Sequence, residues 1–288
     1  MNYDTLISAE QLQALMTSKM PLRIFDCTFD LADASVGQKL YLESHIPGAV
    51  YAHLDAALSD KTGAGVSGGR HPLPSREKFA EWLSSVGLTN DMQAVVYDRN
   101  GANYCGRLWW MLKWAGHNNV AVLDGGLQAW QAAGGAVKSG PETANAASNY
   151  ALAPSLSALV ATKTVADNLG RPIQTLIDAR GAPRFRGEVE PLDPVAGHIP
   201  GALNRPFNQN IGVDGKFKPP ATLKAEFEAL LAGRDPATVV HHCGSGVSAV
   251  PNILAMQIAG LSNASTTGLY AGSWSDWCSD ASRPMAQG

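Results

Sequence analysis

The chain has 288 residues, of which 45% are hydrophobic and 16% charged, with a formal net charge of −3. That is long and apolar enough for two globular domains, and it excludes a disordered or fibrous protein. The small negative balance gives no electrostatic footing for nucleic acid or an anionic membrane, which leaves small molecules and proteins as partners.

The opening, MNYDTLISAE, has no basic segment followed by an apolar one, and no stretch approaches the apolar length of a spanning helix. The expectation is a soluble cytoplasmic protein. Residues 6–16 (LISAEQLQALM) predict a helix, with Ser8 and Gln11 spaced as a capping box. Short β-branched runs follow at Leu22–Phe25, Ala94–Tyr97 and Val120–Leu123, separated by longer helix-like segments. One of these, RLWWMLKW at 107–114, has apolar residues at helical spacing and is expected to pack an interdomain core. The stretch SGPETANAASNYALAP (139–154) has the composition of a linker, so the domains are placed at 1–140 and 153–288, with 141–152 between them. The second half predicts a helix over 159–169 and strands at Thr175–Ile177 and Ala237–His241. Strands alternating with helices imply, in each half, a mainly parallel α/β sheet with helices on both faces.

The second half repeats the first. RIFDC at 23–27 returns as TLIDA at 175–179, SHIPGAVY at 44–51 as GHIPGALN at 197–204, and LDGGLQAW at 123–130 as YAGSWSDW at 270–277. Landmarks kept in order indicate a duplicated domain. His45 and His198 recur in both halves, so a turn-stabilising role is expected for them. The halves part where AVVYDRNG (94–101) faces TVVHHCGS (238–245), because Arg99 then stands opposite Cys243. Only the second copy offers a nucleophile there.

The four cysteines, Cys27, Cys105, Cys243 and Cys278, are scattered and form no CxxC pair, so they are read as reduced thiols. Cys243 differs from the rest. It ends a strand and opens a glycine loop, CGSGVSA, followed by an apolar segment with Pro251 suited to a first helical turn. Gly244 and Gly246 allow successive N–H groups to turn around an anion, and the helix adds its positive end, so a thiolate can be held although no Lys or Arg lies between Asp235 and Gly260. A cysteine phosphatase would need an arginine six positions after the nucleophile, where Ala249 stands. The alternative is a sulfur atom carried on Cys243 itself. His241 and His242 adjoin it, but neighbours on a strand face opposite ways, so no metal site is predicted.

The doubled HIPGA, the LDGGLQAW/GSWSDW endings and CGSGVSA resemble the two-domain rhodanese family, and within it the 3-mercaptopyruvate sulfurtransferase branch, over about Leu6 to Trp277. The resemblance implies two tandem rhodanese-like domains, the first catalytically silent yet lending residues to a cleft at the interface. It implies a cycle in which Cys243 takes sulfur from 3-mercaptopyruvate, releases pyruvate and passes the persulfide to thioredoxin, a small thiol or cyanide, with no cofactor. Ser245 is implied for proton transfer, with Asp55 and His71 supplied by the first domain and Asp60 as the competitor of Asp55. Arg184 matches the first arginine of the family's carboxylate clamp, and the loop residues Gly244, Gly246, Val247 and Ser248 line the substrate. The second clamp arginine is replaced near Asp193, so Arg184 acts alone or recruits a cation such as Arg70 or Arg205. Members that prefer thiosulfate usually carry Arg and Lys directly after the cysteine, where Gly244 and Ser245 stand. Thiosulfate:cyanide sulfurtransferase activity is the nearest alternative, and a persulfide carrier fed by a partner enzyme is another.

Overall fold

The structure is a computed structural model that describes residues 2–263 and 265–288. The chain forms two compact units, one of Met1–Ser59, Pro74–Leu156 and Gly212–Phe217, the other of Asp60–Leu73, Ser157–Ile211 and Lys218–Gly288.

The first unit runs β1 (Leu6–Ile7), α1 (Ala9–Thr17), β2 (Leu22–Asp26), α2 (Ala34–Glu43), β3 (Val50–Tyr51), α3 (Arg76–Ser85), β4 (Gln93–Tyr97), α4 (Cys105–Trp114), β5 (Val120–Leu123) and α5 (Gly126–Ala132). The second runs β6 (Ala158–Leu159), α6 (Thr162–Asp167), β7 (Thr175–Asp178), α7 (Ala182–Phe185), β8 (Leu203–Asn204), α8 (Pro220–Leu231), β9 (Val239–His242), α9 (Val250–Ile258), β10 (Gly268–Leu269) and α10 (Ser273–Trp277). The sheets have the orders β1-β5-β4-β2-β3 and β6-β10-β9-β7-β8, and every pairing within them is parallel. Each strand of the first sheet therefore has its counterpart at the same place in the second, as the doubled landmarks require.

The repeat extends to side chains. Ile7, Leu12, Ile24, Val95 and Trp130 form a core in the first unit, and Val165, Leu176, Val240, Trp274 and Trp277 one in the second. Trp130 donates its indole N–H to Ala136 O at 2.8 Å, and Trp277 to Pro284 O at 2.9 Å. His45 stacks on Tyr41 and bonds its carbonyl at 2.7 Å; His198 stacks on Phe185 and bonds its carbonyl at 2.8 Å. Each histidine thus ties its Ile-Pro-Gly segment to a carbonyl of a preceding helix.

Several boundaries move from the sequence expectation. Leu6 and Ile7 are an edge strand, because the Ser8–Gln11 capping box starts the helix after them, with both reciprocal bonds formed. Ala237 lies in a 3₁₀ turn that Asp235 caps through the Ala237 N–H at 2.9 Å, so β9 begins at Val239. The stretch 141–152 is fixed to the first unit: Glu142 accepts from Gly48 N at 2.8 Å, Ser148 N donates to Ser84 O at 2.9 Å, and Ala151 N donates to Asn90 Oδ1 at 3.0 Å. Segment 60–73, expected within the first domain, belongs to the second unit, closed on itself by Asp60 N to Pro72 O and Val66 N to Leu73 O, both at 2.8 Å. All ten residues of α4 are buried, and the helix packs on β4 and β5 of its own sheet.

Candidate functional site

From β7 the chain crosses to β8 on one side of the second sheet, and from β9 to β10 on the other. The carboxyl ends of β7 and β9 therefore flank a switch point, where parallel sheets open a crevice. Cys243 is the first residue beyond β9 and is 2% exposed. Its N–H donates to Ser273 Oγ at 3.0 Å, its carbonyl accepts from Trp274 N at 3.0 Å, and the Gly244 carbonyl accepts from Ser275 N at 2.9 Å. The start of α10 thereby fixes the backbone of Cys243.

Gly246 has φ +75°, and a Cβ there would run into the Ala271 carbonyl, so glycine is required. Gly244 has another reason. A Cβ on it would lie 2.9 Å from Arg70 Nη2 and 3.6 Å from both terminal nitrogens of Arg184. Two guanidinium groups thus overlie a loop that has no cation in its own sequence. Val247 is buried and Ser248 half-buried before α9, which carries Pro251 in its first turn.

Ser245 and His71, both buried, are brought together: His71 Nδ1 lies 2.8 Å from Ser245 Oγ. His71 reaches this place on segment 60–73 of the same unit, which Arg70 N anchors to Ser275 Oγ at 3.1 Å. Asp60 is buried in that segment and accepts from Thr62 N at 2.9 Å and Thr62 Oγ1 at 2.5 Å. Asp55 lies in the first unit, half-buried in the turn after β3, with its N–H bonded to His53 Nδ1 at 3.1 Å.

Of the candidate cations, Arg184 is held by Glu190 (2.6 and 3.1 Å) and Asp193 (3.3 Å), and Arg70 by Asp193. Arg180 binds Asp178 at 2.7 Å and stacks on Trp274. Arg205 is tied to Asn210 at 2.8 Å and Glu226 at 2.7 Å and takes no place at the loop. His241 meets Met256 Sδ at 3.2 Å, whereas His242 lies on the other face, 4.0 Å from Asp178. Burial pushes both imidazoles down, His241 to about 3, so both are neutral at pH 7.

The other thiols are buried beside acidic groups. Burial, then the charges of Asp26 and Asp98, pushes Cys27 well up; burial and Asp98 do the same to Cys105, and burial and Asp193 raise Cys278. A thiol kept protonated is a poor nucleophile. In the first unit, the loop equivalent to Cys243–Ser248 closes on its own carboxylate. Asp98 accepts from the N–H groups of Asn100 (2.8 Å), Ala102 (3.1 Å), Tyr104 (2.8 Å) and Cys105 (2.9 Å). Arg99 turns back into the scaffold, bonding Asp26, Thr28 and the Leu40 and Ser44 carbonyls.

Sequence reasoning passed over Ser273 and Glu190. Ser273 adopts φ +57°, unusual for a side chain with a Cβ, and its counterpart in the repeat is Gly126 at φ +59°. A serine where the duplicate has glycine was the available signal. Glu190 is one of three acids in EVEPLD, and nothing in its local sequence sets it apart.

The fold and the thiol at its switch point define a class: a duplicated, doubly wound α/β protein with one cysteine-bearing loop. The Rhodanese-like domain model matches residues 8–133 and 161–280, and the chain belongs to that family. The chain is 46% identical over 284 residues to the "Probable 3-mercaptopyruvate sulfurtransferase" of Pseudomonas aeruginosa, covering 98% of both chains. It is 31% identical to the bovine thiosulfate sulfurtransferase, over 96% of this chain and 92% of that one. The crystal structure of SseA from Escherichia coli, described as showing the rhodanese fold and catalytic mechanism of 3-mercaptopyruvate sulfotransferases, matches with a TM-score of 0.79 at 31% identity, covering 95% of this chain and all of that one.

Proposed function

We propose that the protein is a sulfurtransferase that moves a sulfane sulfur from 3-mercaptopyruvate through a persulfide on Cys243 to a thiol or cyanide acceptor. The observation that carries the reading is the Ser245–His71 pair, 2.8 Å apart and two residues from a cysteine set in a glycine loop under two guanidinium groups. The name of the Pseudomonas aeruginosa relative supports the donor.

In the first step the Cys243 thiolate attacks the donor sulfur. The S–S bond forms as the C–S bond breaks, and the bonding pair passes to the carbon as the enolate of pyruvate, which the adjacent carbonyl delocalises. The donor's thiol proton, moved through Ser245 and His71, reaches that carbon, so pyruvate leaves and Cys243 keeps a persulfide anion. In the second step an acceptor takes the outer sulfur and returns the Cys243 thiolate; cyanide becomes thiocyanate, and a protein thiol such as that of thioredoxin becomes a persulfide. Arg184 and Arg70 bind the donor carboxylate. No cofactor enters either step.

Intact-mass spectrometry of the wild type and Cys243→Ala, after brief exposure to 3-mercaptopyruvate or thiosulfate without acceptor, tests the reading. One added sulfur in the wild type alone, gained faster from 3-mercaptopyruvate, is expected. Sulfur added to Cys243→Ala would place the nucleophile elsewhere, faster loading from thiosulfate would reverse the donors, and no loading would favour a carrier.

A further inference from the structure

A carboxylate of the protein already sits in the guanidinium pair above the sulfur loop. Asp193 Oδ1 accepts from Arg70 Nη1 and Asp193 Oδ2 from Arg184 Nη2 at 3.3 Å, so one side chain bridges the two arginines that overlie Gly244. The Asp193 side chain is 2% exposed, whereas Arg70 and Arg184 keep 28% and 21% of theirs open. An anion from solvent can therefore meet the arginines where it cannot meet the aspartate.

Glu190 is bound differently. It accepts from Arg184 Nε and Nη2, from Arg180 Nη1, and from the N–H groups of Leu192 and Asp193 at 3.0 and 3.1 Å. Those bonds make it part of the turn that presents Asp193. The described bonds of the Asp193 carboxylate go to Arg70 and Arg184. The formal charges of Arg70, Arg184, Glu190 and Asp193 cancel.

We propose that Asp193 is a specificity-determining residue: a resident counter-anion that admits donors bearing one negative charge and selects against those bearing two. The proposal rests on the reading of Cys243 as the sulfur acceptor and goes beyond it by assigning the donor's charge class to one side chain. A monoanionic carboxylate can take the place of Asp193 on the arginines, one charge for one. A dianion adds a second negative charge beside Asp193 and Glu190, and its repulsion grows with the product of the charges. Neutralising Asp193 therefore helps a dianion more than a monoanion.

The test compares the full-length wild type, Asp193→Asn and Asp193→Glu with 3-mercaptopyruvate and with thiosulfate, cyanide being the acceptor. Asp193→Asn should lower the KM for thiosulfate about tenfold more than that for 3-mercaptopyruvate. Asp193→Glu, which keeps the charge, should retain the wild-type KM ratio. A ratio unmoved in Asp193→Asn, or moved equally in Asp193→Glu, overturns the proposal. Should Asp193→Asn fail to fold, calorimetry on the wild type still decides, because the proposal requires pyruvate to bind more tightly than sulfate and tighter sulfate overturns it. A wild type that gains no sulfur from either donor sinks the catalytic reading alone, since the calorimetric comparison does not need turnover.

Discussion

Ser273 carries a cost that its duplicate avoids. Gly126 takes φ +59° freely, whereas Ser273 holds φ +57° with a side chain, and its hydroxyl accepts from Cys243 N while donating to Tyr270 O at 2.9 Å. A left-handed backbone on a residue with a Cβ is unfavourable by about 1 kcal/mol and persists where its surroundings demand it. Ser273 positions the backbone of Cys243. Ser273→Gly relieves the backbone and removes the acceptor, so the unfolding free energy should change by no more than about 1 kcal/mol. Sulfur loading on Cys243 should slow about tenfold, matching the loss of one hydrogen bond in the transition state. Stopped-flow or quenched mass measurement of loading, beside denaturant unfolding, separates the two; equal loading rates would show that Ser273 serves the turn alone.

At the scale of the element, β9 carries two neutral histidines to the threshold of the site. Burial, then His242 and Arg205, brings His241 down to about 3 from 6.5. The unfolded chain takes up the proton first as pH falls, so His241 costs stability progressively below about 6.5 and down to about 3. The slope in that window is about 1.4 kcal/mol per pH unit for one such group. His117, lowered to about 4 chiefly by its own burial, adds a parallel loss in the first unit. His241→Leu should therefore flatten, without abolishing, the fall in urea midpoint between pH 6.5 and 4. An unchanged slope would mean that His241 is protonated in the folded chain.

Over the whole molecule, duplication produced one cysteine-bearing loop and one filled loop. The Asp98 carboxylate occupies four N–H groups of the first loop, and Arg99 is bound beneath it. A cysteine at position 99 would thus meet a cradle already holding an anion. Arg99→Cys in a Cys243→Ala background should lose about 3 kcal/mol of stability, because Asp26 is left buried without its cation, and should gain no sulfur from either donor. Added sulfur in that double variant would show that the cysteine alone distinguishes the halves.

The duplication, the parallel α/β architecture and the candidacy of Cys243 were legible in the chain, since periodicity, doubled landmarks and a glycine-flanked thiol are local patterns. Strand ends were less so: Ala237 fell to an Asp235 cap that competes with the sheet for the same backbone. The sequence also pointed to Ser245 and His71 separately, 174 positions apart, and to the missing cation near Asp193. Only the tertiary structure decided that His71 bonds Ser245, that segment 60–73 packs in the second unit, and that Arg70 and Arg184 overlie Gly244 with Asp193 between them. The physical reason is range: local pattern follows from backbone and hydrophobic periodicity within a few residues, whereas hydrogen bonds and charge pairs between distant segments exist only once packing has set their separations.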